Sequence, residues 1–75
     1  MLDEIDRQSA RDHLYVRISH NMRMRVECEE CAENRYRLGY SEAAIAESLA
    51  DAQWHRDEIV RLSALLDNLS NMPQA

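Results

Sequence analysis

The 75-residue sequence has no lysine, no phenylalanine, one glycine (Gly39) and one proline (Pro73). A many-turned β-sandwich or barrel needs Gly and Pro at its reversals, so that class is excluded. Only four aromatics are present, Tyr15, Tyr36, Tyr40 and Trp54, which leaves few bulky side chains for a core. Uninterrupted apolar stretches are only a few residues long, against the roughly 20 needed to cross a bilayer. The first residues, Met1-Leu2-Asp3-Glu4-Ile5-Asp6, are acidic and lack the apolar run of a secretion signal. With no such signal, the two cysteines, Cys28 and Cys31, are expected as free thiols in a reducing cytoplasm.

What is present is charge and helix-formers. The net charge is −5, and all nine basic residues are arginine. Residues 1–40 carry seven Arg and eight acids; residues 41–75 carry two Arg and six acids. The acidic second half disfavours the phosphate backbone of a nucleic acid. Arginine without lysine is the signature of a GC-rich genome, and it also suits a protein interface. A chain this short buries only about 60% of its unfolded surface, so oligomerisation, a metal or disulfides would be expected to assist folding.

The strongest pattern runs from Ser41 to Leu69. With Ile45 at heptad position a, the a positions are Ile45, Ala52, Ile59 and Leu66, and the d positions are Ser48, His55, Leu62 and Leu69. Six of these eight are apolar, the signature of a packed helix. Ser41 reads as its N-cap, with Tyr40 and Ile45 placed as a hydrophobic staple, and Glu42 suits the positive end of the helix dipole. The run Asn68, Ser70, Asn71, Pro73 ends it. A second helix is expected over residues 4–38, on which Leu14, Ile18 and Met22 step by four and Val26, Ala32 and Tyr36 stay on roughly the same side. Arg11, Arg25 and Glu29 interrupt that stripe, and a Ser9 cap would give a shorter helix with residues 1–8 as a frayed arm.

These elements predict an all-α single domain over 1–75: helix 1 at about 4–38, a turn at 38–41, helix 2 at about 42–69 and a tail at 70–75. Two antiparallel rods about 45 Å long cannot cover both apolar stripes. A homodimeric four-helix bundle is therefore expected. Its dimer and core seam would comprise Ile18, Met22, Ile45, Leu49, Ala52, Ile59, Leu62, Leu66 and Leu69.

Several residues are candidates for chemistry or recognition. His13, His20, Met24, Cys28 and Cys31 fall within about an 80° sector of helix 1. Cys28, Cys31 and His20 are the metal candidates, soft donors suited to Zn(II) or Cu(I), although no second Cys pair follows at zinc-finger spacing. The plainer reading packs the cysteines where helices approach closely. His55, inside the helix 2 stripe, would bond a helix 1 acid such as Glu27 or sit at the rim; a pH-sensitive seam residue or a ligand is the other reading. Trp54 lies opposite Ile45 on a thinner strip with Ala43, Ala50 and Leu65, ringed by Glu47, Glu58 and Arg61. An aromatic with polar surroundings is what a docking anchor looks like, with Tyr40, Arg61 and Ala50 as companions. Should helix 1 or a dimer mate wrap that side, Trp54 would instead be core. Arg17, Arg23 and Arg25 precede Glu27, Glu29, Glu30 and Glu33, a zoning that suits i,i+4 pairs or electrostatic registry.

The segment Gly39-Tyr40-Ser41-Glu42-Ala43-Ala44-Ile45-Ala46-Glu47-Ser48-Leu49-Ala50 resembles the first half of a bacterial helix-turn-helix. The second half departs from it, with Ala50 at the turn glycine, Asp51 at the apolar turn position and Arg56 at the apolar recognition-helix position. There is no phosphate-binding Gly-rich loop, no Ser-His-Asp order and no His-Glu-x-x-His, and the glutamates lack the Glu-x-x-His pairing of di-iron bundles. The expectation is a non-enzymatic, cofactor-free interaction module that binds itself and a larger protein as a regulator or inhibitor. In size and composition it resembles anti-activators of bacteria and phages. A Cys28/Cys31 metal or thiol sensor and a helix-turn-helix regulator are the alternative readings.

Overall fold

A computed structural model describes residues 3–71 and contains two helices, α1 (Glu4–Arg37) and α2 (Glu42–Ser70), packed as an antiparallel hairpin. Pro73 and the rest of residues 72–75 lie outside the described residues, as do residues 1 and 2. The molecule is a rod of 57 × 14 × 10 Å. Its radius of gyration is 17.0 Å, against about 11 Å for a compact domain of this length.

Each boundary has a local cause. Asp3 caps α1 by accepting from Asp6 N at 2.8 Å, so the helix starts six residues before the Ser9 alternative and there is no arm over 4–8. Acids in its first turn and Arg35 and Arg37 in its last both suit the helix dipole. The C-terminal stop is a Schellman motif. Gly39 takes φ +76°, its N–H donates to Tyr36 O, and Tyr40 N–H donates to Arg35 O. Ser41 then caps α2 through Ala44 N at 3.2 Å. Arg35 fastens the corner: its guanidinium donates to Ala44 O at 2.6 Å and lies 5.9 Å from the centre of the Tyr40 ring.

Helix α2 turns its a and d positions to α1. Ser48, Ala52, Leu62 and Leu69 are buried, and Ile45, His55, Ile59 and Leu66 are half-buried. The facing stripe of α1 alternates steps of four and three: Arg7, Arg11, Leu14, Ile18, Asn21, Arg25, Cys28, Ala32, Arg35. This corrects the stripe expected from apolar spacing. Strict steps of four rotate about 40° each, so the row from Leu14 and Ile18 leaves the seam at Met22. Met22 is 48% exposed and Val26 and Tyr36 are exposed too, while polar Asn21 and Arg7 take the buried places. Leu49 is likewise outside the seam, 52% exposed. Helix α2 also runs unbroken through Ala50-Asp51, so the turn of a helix-turn-helix is missing, as the uninterrupted heptads and lack of Gly or Pro require.

Candidate functional site

The two flanks of the hairpin differ in character. A residue following a seam position is rotated 100° to one side of its helix. Because the helices face each other and run in opposite senses, these positions fall on the same side of the rod in both. The ion pairs bear this out. Glu29 pairs with Arg56, each following a seam residue, and Arg17 approaches Glu58 at 3.9 Å, each preceding one.

Trp54 sits on the preceding flank, 58% exposed, so α1 does not wrap it. Its ring meets His55 edge-on at 4.9 Å between centroids. His55 is in turn fixed from α1. Asn21 donates its amide N–H to Arg17 O at 2.8 Å, which aims its Oδ1 at the imidazole 2.7 Å away. The carbonyl can only accept, so Nδ1 of His55 carries the proton. The expected acid partner, Glu27, is replaced by Asn21. The aromatic anchor thus rests on a cross-helix hydrogen bond.

Beside Trp54, Arg61 forms a fork on Glu58, Nε to Oε1 at 2.9 Å and Nη2 to Oε2 at 2.8 Å. This bond, with the positive charges of Arg61 and Arg17, holds the Glu58 carboxyl below its ordinary pKa. Ala50 is exposed one turn before Trp54. Tyr40 is at the corner, 14 residues or about 21 Å from Trp54 along α2, so the two do not form one patch.

Of the metal candidates, Cys28 and Cys31 lie one turn apart on α1, and His20 stands away from them. Among the described residues no group of three or more His, Cys, Asp or Glu side chains is placed to hold an ion. His20 stands eight residues, about 12 Å, from Cys28 and lies 3.5 Å from the Arg23 guanidinium. Cys31 accepts from the Ser48 hydroxyl at 3.3 Å. Burial raises the Cys28 pKa, reinforced by the negative charge of Asp51, so its thiol stays protonated at neutral pH and is a poor nucleophile.

Two features were not read from the sequence. One is the Asn21–His55 contact, hidden because an asparagine does not register in an apolar pattern. The other is the flank following the seam, where Tyr15, Val26 and Val60 are exposed beside Met22 and Leu49. No heptad pattern marks it: of the eight α2 positions that follow a and d, Ala46, Leu49 and Val60 are apolar and the other five are polar. No described helix is long and apolar enough to cross a membrane. Comparison with protein-family models, curated proteins and solved structures finds no match to the chain.

Proposed function

We propose that the chain is a small, acidic, non-enzymatic interaction module of the cytoplasm, which pairs with a second copy as a four-helix bundle and docks on a larger protein to restrain or redirect it. The size and composition it shares with bacterial and phage anti-activators fit that role. The observation carrying the docking half is Trp54: a large ring, mostly exposed, braced by His55 and Asn21 and bordered by Glu58 and Arg61. An ordered aromatic loses little freedom on binding, and Trp and Arg dominate interface energetics.

The test is affinity capture from a lysate of the source cell, with Trp54→Ala as control. A protein retained by the wild type and released at least tenfold more readily by Trp54→Ala, at unchanged far-UV circular dichroism, supports the docking site. Equal retention by both forms removes it.

A further inference from the structure

We infer that the copies pair through the flank following the seam, the face bearing Tyr15, Met22, Val26, Leu49 and Val60, which leaves the Trp54 flank free for the larger partner. This rests on the dimeric reading above and specifies its surface.

The two faces of the rod differ in charge and in apolar content. Consider the seam residues from Leu14 to Cys28 and from Ser48 to Leu62, ten in all. Of the ten positions that follow them, five are large and apolar, and two are charged, Glu29 and Arg56, which pair with each other. Of the ten that precede them, six are charged, among them Arg17, Glu27, Asp51 and Glu58, and the large apolar ones are Met24 and Trp54. The following face therefore has no net charge across its middle in a chain of net charge −5. That neutrality is what a surface needs if it is to meet an identical surface, since any excess charge would face itself. Depletion of charge with Tyr and Met present also matches the core of a protein interface.

Area points to the same occupant. The middle of that face, two helices each about 10 Å across over about 22 Å, presents about 450 Å², and the full length of about 45 Å, which adds Asp12, Glu33 and Asp67 towards its ends, about 900 Å². A stable interface needs about 800 Å² per partner. The hairpin's own buried apolar residues are only Ala32, Ala52, Leu62 and Leu69 among those described, so cover is required whenever the chain is folded. A second copy is always at hand.

Sedimentation velocity at micromolar concentration tests this with three variants. Val60→Glu and Met22→Glu place a carboxylate on the face from different helices; Val16→Glu places the same charge on an equally exposed valine pointing away from it. The expected result is a wild-type dimer and a Val16→Glu dimer, with the two face variants weakened about a hundredfold or more, because the symmetric interface would bury two unpaired carboxylates. Val60 is 70% exposed in the hairpin, so loss of helicity in Val60→Glu with Val16→Glu intact also reports lost cover. A wild-type dimer unaffected by both face substitutions, or equally disrupted by Val16→Glu, overturns the face while dimerisation stands. A wild-type monomer overturns both.

Discussion

Asn21 and His55 meet near the middle of the seam, Asn21 between Ile18 and Arg25 on α1 and His55 between Ala52 and Ile59 on α2. Their hydrogen bond fixes which residue of α2 stands opposite Asn21, since a slip of one turn would strand both polar groups. Replacing Asn21 alone by leucine leaves the imidazole N–H without its acceptor. The expected cost is about 1–3 kcal/mol in urea denaturation. Replacing both, Asn21→Leu with His55→Leu, should recover most of that loss or exceed the original stability. A double variant as unstable as the single one would show that the pair contributes through something other than mutual satisfaction. Arg35 works similarly at the corner, where one guanidinium serves a helix carbonyl and a tyrosine ring.

At the scale of the elements, the reversal depends on one left-handed residue. Nothing lies within 4 Å of a Cβ built on Gly39, so alanine there would meet no steric clash with other parts of the molecule. The cost of Gly39→Ala is then that of the backbone conformation alone, about 1 kcal/mol, read as a lower urea midpoint with unchanged slope. A neutral outcome would mean that the corner adopts another geometry. Helix α2 could be read because its seam is mostly apolar and strictly heptad, and Gly39 and Ser41 mark the corner. Helix α1 was harder. Its limits were visible, but its inward face carries Arg7, Asn21, Arg25 and Arg35, all long or polar, while Met22, Val26 and Tyr36 look inward by type and are not. Apolar spacing alone cannot separate a thin hairpin's seam from a second face of comparable greasiness. That second face is also why the candidate surfaces were only partly legible. Trp54 stood out as a single large ring, whereas Val60 and Val26 carry meaning only once the seam is located.

For the whole molecule, shape governs behaviour. A rod 57 Å long and two helices thick has almost no interior; Leu62 is the one fully buried large side chain among the described residues. In the proposed dimer, stability comes from apolar surface covered by the second copy, and folding is coupled to association. The most direct measurement is the thermal midpoint at two protein concentrations a hundredfold apart. Coupled folding adds about 2.7 kcal/mol per mole of dimer across that range. This raises the midpoint by roughly 5–10 °C for a dimer of this size. A midpoint that does not move with concentration, in a chain that sediments as one copy, would contradict the account.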